Sequence, residues 1–168
     1  MLQKVLYQHE RNPDLQLRKT VLNDLEQLFE FQTDKEGIHQ AAFTPKDPTD
    51  KNAYLAKYEK ILQDPSTNNQ TILLDNVIVG SMAKFILNGK TEITYWIDSK
   101  YWGKGIATKA LSAFLEMMTD RPVFGRVTFD NFGSQKVLEK CDFVKVGENK
   151  GFANARQEEI VEFIYELN

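Results

Sequence analysis

A single cysteine, Cys141, stands among 168 residues, so no internal disulfide can form and the composition suits a reducing compartment. Only two histidines, His9 and His39, accompany it. No cluster therefore has metal-ligand spacing, and no metal is expected. No apolar run approaches the roughly 18 residues of a membrane span, and the start, MLQKVLYQHERNPDL, has no apolar stretch of signal-peptide length. Basic excess is missing too: 21 Lys and Arg face 24 Asp and Glu, a net charge of −3, which argues against a general nucleic-acid binder. Internal repeats and low-complexity segments are absent. The expectation is one soluble, cytoplasmic domain over residues 1–168, with its core at about 15–167. Cys141, between Leu138 and Phe143, reads as a small buried filler rather than a nucleophile.

Hydrophobic residues make up 42% and charged residues 27%, enough apolar material for one core at this length. The spacing predicts a strand from Leu15 to Thr20, then a helix capped by Asn23-Asp24 with Leu25, Leu28, Phe29 and Phe31 on its inner side. Thr33 to Asp50, polar with Pro45 and Pro48, reads as a loop. Asp50 opens a helix carrying Tyr54, Leu55, Tyr58, Ile61 and Leu62, which stops at Asp64-Pro65. Residues 71–74 and 77–87 read as strands around an Asp75-Asn76 turn. Asn88-Gly89 is a stronger hairpin signal, leading into a strand at 91–97. Beyond Arg121-Pro122, Val123 to Phe129 reads as a strand, and Asp130-Asn131 caps a helix to about Lys140. Phe143 to Val146 and Glu159 to Leu167 supply the last two strands. Hairpins beside a strand–helix–strand crossover imply a mixed sheet with helices on both faces.

The most informative stretch is Thr91 to Ala110, TEITYWIDSKYWGKGIATKA. Glu92, Thr94 and Trp96 alternate with Ile93, Tyr95 and Ile97, the period of a strand. Ile106, Ala110, Leu111, Phe114 and Met118 then recur at helical spacing. Between them, Gly103 and Gly105 lack Cβ atoms, so an anion can approach the backbone just where a helix start presents unpaired N–H groups. Lys100, Lys104 and Lys109 against Asp98 make the segment locally basic, although a solvated helix face would also carry them. The segment is a candidate pyrophosphate cradle.

Two motifs stand here in order. Lys100-Tyr101-Trp102-Gly103-Lys104-Gly105 runs into Ile106-Ala107-Thr108. Some two dozen residues on, Asn131 and Ser134 precede Val137-Leu138-Glu139-Lys140-Cys141-Asp142-Phe143. Together they resemble the Gcn5-related N-acetyltransferase (GNAT) superfamily, and within it the branch of ribosomal-protein-alanine acetyltransferases, over nearly the whole chain. The family pattern is Gln or Arg, two residues, Gly, one residue, then Gly or Ala, so Lys100 departs at its first position. The implied fold is α/β (α+β), a single GNAT-like domain: a mixed, mostly antiparallel twisted sheet of about seven strands, helices on both faces, and a β-α-β acetyl-CoA-binding core. The resemblance also implies that backbone N–H groups of Trp102, Gly103, Lys104, Gly105, Ile106, Ala107 and Thr108 hold the pyrophosphate of coenzyme A. The pantetheine arm would lie along Tyr95, Trp96 and Ile97, and Asn131 and Ser134 would face the ligand. Acetyl-CoA is the implied co-substrate and no metal is implied. The partner is an amine acceptor, a peptide N-terminus or a small molecule, on a monomer or homodimer.

Two further departures bear on mechanism. Many superfamily members place a tyrosine at the position of Leu138 to protonate the departing thiolate, a role that passes here to Ser134 or solvent. Asp142 stands where a glycine usually precedes Phe143, a left-handed helix stop that Asp tolerates less well. With no Cys or Ser beside a partnered His, direct transfer is expected over a covalent route. The acceptor must lose a proton before attack; Glu92 is the first choice of base, with Asp98 and His39 behind it, while a cross-strand partner is the plainer reading of Glu92. A backbone N–H near Ile97 would serve the oxyanion. The acceptor is expected across Thr33 to Asp50 and the hairpin Phe152 to Gln157, which carry His39, Phe43, Phe152, Asn154 and Arg156. A Rossmann reading fails because Thr108 replaces the third glycine and too little chain follows. No P-loop pattern is present. A non-catalytic acyl-CoA sensor of the same fold is the alternative.

Overall fold

The structure, a computed structural model, describes residues 13–168. The readings made on His9 and on the leader fall within 1–12, outside the described residues. The strands are β1 (Leu15–Lys19), β2 (Asn68–Leu74), β3 (Val77–Leu87), β4 (Lys90–Ile97), β5 (Val123–Thr128), β6 (Val144–Ala153) and β7 (Glu158–Leu167). The helices are α1 (Leu25–Phe31), α2 (Lys35–Ala41), α3 (Lys51–Gln63), α4 (Ile106–Glu116) and α5 (Phe132–Lys140). All seven strands form one sheet in the order β1-β2-β3-β4-β5-β7-β6. Every neighbouring pair is antiparallel except β4 with β5. This is the mixed, mostly antiparallel seven-stranded sheet expected from the sequence.

Local chemistry fixes the meander. Asp75 and Asn76, then Asn88 and Gly89, all take positive φ in two-residue hairpin loops, as the twist of paired strands requires. Asp50 caps α3 by accepting from the Ala53 N–H at 3.0 Å. The inward stripe of α4 is buried as its spacing predicts: Ala110, Leu111 and Phe114 have no exposed surface. They pack with Ile93, Ile97, Val123, Val127 and Leu138 from the sheet and α5. The opposite face is covered by α1 and α2, where Phe31 and Gln40 each lend a carbonyl, to Trp96 and Thr128. Asp142 has φ of +67°, the left-handed stop expected before Phe143.

Three expectations need correction. The segment Thr33 to Asp50 is not all loop, because Asp34 accepts from the Gly37 N–H and starts α2. Asp24 stands at the N-cap position of α1, but its side chain makes no cap bond to that helix. Its buried carboxylate binds Arg18, the Val21 N–H and Thr71, so a short 3-10 turn precedes α1. Finally, β6 runs on to Ala153 rather than stopping at Val146, with a bulge between Lys145 and Gly147.

Candidate functional site

Strand β4 organises the site. It pairs with β5 only at Thr91, Glu92 and Ile93, after which the two parallel strands part. The hairpin pair Leu87↔Lys90 and the Asp98 N–H to Val79 carbonyl bond fix which β4 groups face β3. By antiparallel alternation, the N–H and C=O groups of Tyr95 and Ile97 point the other way, into the opening beside β5. One of these is engaged: the Ile97 carbonyl accepts from the Trp102 indole at 2.9 Å. The others are backbone donors and acceptors with which an extended amide chain can pair.

The opening leads to the glycine loop. Trp102, Gly103, Lys104 and Gly105 are exposed, and Gly103 and Gly105 have φ of +74° and +75°. A Cβ at either would meet nothing within 4 Å, so the protein leaves that space open. The first α4 bond runs from the Lys109 N–H to the Gly105 carbonyl. The N–H groups of Ile106, Ala107 and Thr108 therefore precede the helical ladder and aim outward at the positive end of α4. Lys104 folds over the Tyr101 ring, with its ammonium 5.4 Å from the centroid.

The far bank of the opening is α5. The Asn131 side chain accepts from the Ser134 N–H at 3.2 Å and caps the helix. One turn in, Ser134 Oγ accepts from the Tyr95 hydroxyl at 2.9 Å. Burial pushes the Tyr95 phenol up to about 12, against the opposite pull of the Ser134 bond. Leu138 turns into the core, where its methyls stand 3.1 and 3.4 Å from where a Cβ on Gly125 would be. Cys141 is buried, its sulfur 3.7 Å from the Thr108 carbonyl, and burial pushes its thiol up.

On the other face of β4, Glu92, Thr94 and Trp96 look toward α1 and α2. Glu92 is buried, and both its oxygens accept from Arg126 Nε, at 3.0 and 3.2 Å. Arg126 also donates to Glu162 at 3.1 Å. Asp98 caps the turn after β4 through the Lys100 N–H. His39 lies on α2, its carbonyl held by Arg156 at 2.9 Å.

The two segments expected to flank the acceptor are brought together. Asn154 donates to the Thr44 carbonyl at 2.7 Å, and the Ala155 N–H to the Ala42 carbonyl at 3.1 Å. Ala42, Ala153 and Ile160 form a small core between them. Arg156, nearly buried, grips Asp130 with bonds of 2.7 and 3.0 Å. Sequence reasoning missed Arg126, Glu162 and Tyr165, whose hydroxyl donates to Glu139. Only the strand register shows that Arg126 sits beside Glu92.

The family model described as an acetyltransferase (GNAT) domain matches residues 14–144. The chain belongs to this GNAT family. It is an acyltransferase by that membership. A curated relative from Bacillus licheniformis, an uncharacterized N-acetyltransferase named p20, is 23% identical over 163 residues, 91% of this chain and 92% of its own. A domain from Methanocaldococcus jannaschii superposes with a TM-score of 0.74 at 25% identity, covering 94% of this chain and 99% of that one. The ribosomal L7/L12 alpha-N-protein acetyltransferase RimL, solved with coenzyme A, gives 0.79 at 20% identity over 91% and 93%. The microcin C7 self-immunity acetyltransferase MccE, solved with acetyl-CoA and AMP, gives 0.77 at 20% identity over 93% of both chains. These last two likenesses speak for the fold. No helix among the described residues is long and apolar enough to cross a membrane.

Proposed function

We propose that this GNAT domain is an acetyl-CoA-dependent N-acetyltransferase that passes the acetyl group directly to a primary amine of a peptide N-terminus or a small molecule. The observation that carries the reading is the continuity of the β4–β5 opening with the glycine loop. One track of backbone groups on Tyr95 and Ile97, unpaired but for the Ile97 carbonyl, ends at a helix start with space for phosphates. Pantetheine amides suit the first part and a pyrophosphate the second. Coenzyme A or acetyl-CoA in solved relatives supports the same assignment. Bound there, acetyl-CoA supplies a thioester activated for attack.

The chain's own groups divide the remaining work. Backbone N–H groups from Gly103 to Thr108 bind the phosphates, whereas the Trp102 N–H expected among them is held by the Ser99 carbonyl at 3.2 Å. Trp96 lies on the strand that carries the arm. The Ile97 N–H is the donor assigned to the oxyanion. Asn131 orders the start of α5, and Ser134 faces the sulfur. For the amine's proton, Glu92 comes first, one residue before β4 and β5 part, with Asp98 and His39 behind it. Glu92→Gln is expected to lower turnover about 10²-fold, mainly below neutral pH, and an unchanged pH–rate profile removes it. The acceptor lies across the surface that the Ala42–Thr44 segment and the β6–β7 hairpin form together, near the exposed Phe43 and Phe152.

The test is an acceptor screen with acetyl-CoA that reads free thiol over panels of peptides, amino acids, polyamines and aminoglycosides. Amine-dependent thiol release is expected, without ping-pong kinetics. Coenzyme A binding with no amine-dependent release would replace the enzyme with a sensor.

A further inference from the structure

Leu138 leaves this domain without a phenol on α5 at the start of the opening, yet a phenol arrives there from the sheet. Tyr95 follows the last paired residues of β4, its side chain on the α4–α5 face and its hydroxyl donating to Ser134 Oγ at 2.9 Å. A serine hydroxyl has one hydrogen to give and lone pairs to receive. Left alone in the first turn of a helix, that hydrogen commonly turns back to a main-chain carbonyl. With the Tyr95 phenol on its acceptor side, the Ser134 hydrogen is turned away from Tyr95. The Ser134 N–H is separately fixed on Asn131 at 3.2 Å, so both the backbone and the hydroxyl of this residue are oriented.

We propose that Tyr95 is a positioning residue that aims the Ser134 hydroxyl hydrogen at the departing sulfur from β4, in a domain where Leu138 leaves no phenol on α5 to act on the sulfur directly. The inference rests on the N-acetyltransferase reading and on Ser134 facing the sulfur. In the step concerned, the C–N bond forms as the C–S bond breaks and the bonding pair leaves on sulfur. The amine's surplus proton passes to the base or to solvent. Ser134 keeps its own proton and hydrogen-bonds the thiolate through it, while Tyr95 holds the oxygen still. Burial keeps the phenol protonated to about pH 12, so this donor is present throughout the working range.

The experiment is a double-mutant cycle of Tyr95→Phe, Ser134→Ala and the pair, with turnover, the KM for acetyl-CoA, coenzyme A affinity and thermal unfolding measured on each full-length protein. The ring stays in Tyr95→Phe, so packing is kept. Expected are about a 10-fold loss of kcat for Tyr95→Phe and a similar or larger loss for Ser134→Ala. KM and coenzyme A affinity should hold within about 2-fold in both. Because Tyr95 acts through Ser134, the pair should match Ser134→Ala alone. Wild-type kcat for Tyr95→Phe beside an impaired Ser134→Ala overturns the proposal, as do losses that multiply in the pair. Wild-type kcat for Ser134→Ala instead rejects the Ser134 role beneath it, and the absence of any amine-dependent turnover in wild type rejects the enzyme reading.

Discussion

Arg126 on β5 reaches across the parallel pair to Glu92 on β4, its Nε hydrogen-bonded to both carboxylate oxygens at 3.0 and 3.2 Å. The Glu92 side chain is 3% exposed and that of Arg126 30%, so the pair closes the sheet surface at the residues just before β4 and β5 separate. Removing the guanidinium would leave a buried carboxylate with no counter-charge. Arg126→Met is expected to lose about 3–5 kcal/mol of stability, and adding Glu92→Gln should restore part of it. Denaturant unfolding checks this, and a near-wild-type midpoint for Arg126→Met would deny the pair its structural weight. A pH–rate profile on Glu92→Gln separates this role from proton transfer, since a purely structural carboxylate shifts the midpoint and leaves the profile's shape alone.

Acid should weaken the protein partly through Asp24. Burial alone would raise its carboxyl, but Arg18, the Val21 N–H and Thr71 outweigh that and hold it below the usual 3.8. A carboxylate depressed in the folded state adds stability above the unfolded value, and that stability is lost as pH falls through the lower folded value. Asp24→Asn should therefore unfold more easily at pH 7 by about 1–3 kcal/mol, with a flatter stability curve below about pH 4. Urea titrations at pH 7, 4 and 3 check it, and parallel curves for the two proteins would refute it.

The Arg156–Asp130 clamp ties the β6–β7 hairpin to the β5–α5 junction, and Arg156 also holds the His39 carbonyl of α2. Arg156→Ala is expected to loosen the wall assigned to the acceptor. Its signature is a rise in acceptor KM of about 10-fold with coenzyme A affinity unchanged, beside a stability loss of about 3 kcal/mol from the broken pair. Equal effects on acceptor and coenzyme A would instead mean that the clamp serves the fold as a whole.

Much of this was legible in residue order. The type of each long periodic segment followed from its spacing, and the two-residue turns at 75–76 and 88–89 followed from their Asp and Asn residues. Helix α2 hid because Gly37 and two nearby prolines outweigh a short run whose apolar side is only Ile38 and Ala41, although Asp34 was a readable cap. Strand β6 hid because it is an edge strand, with Glu148, Asn149 and Lys150 exposed and its half-buried positions at 147 and 151 filled by glycine, so no apolar alternation marks it. The cradle at Gly103 and Gly105 could be read because glycine spacing is a local signal. Arg126 beside Glu92, and Tyr95 beside Ser134, are separated by 34 and 39 residues and become neighbours only through sheet register and helix docking.

The central claim is that the glycine loop at the end of the β4–β5 opening holds the pyrophosphate of coenzyme A. Calorimetric titration of coenzyme A into the wild-type protein and into Gly105→Val tests it most directly. The Gly105→Val side chain enters space that no protein atom occupies, and its φ of +75° adds about 1–2 kcal/mol of backbone strain. Binding is expected to weaken at least ~100-fold, ~2.7 kcal/mol, while the domain stays folded. Unchanged affinity in a folded Gly105→Val protein would contradict it.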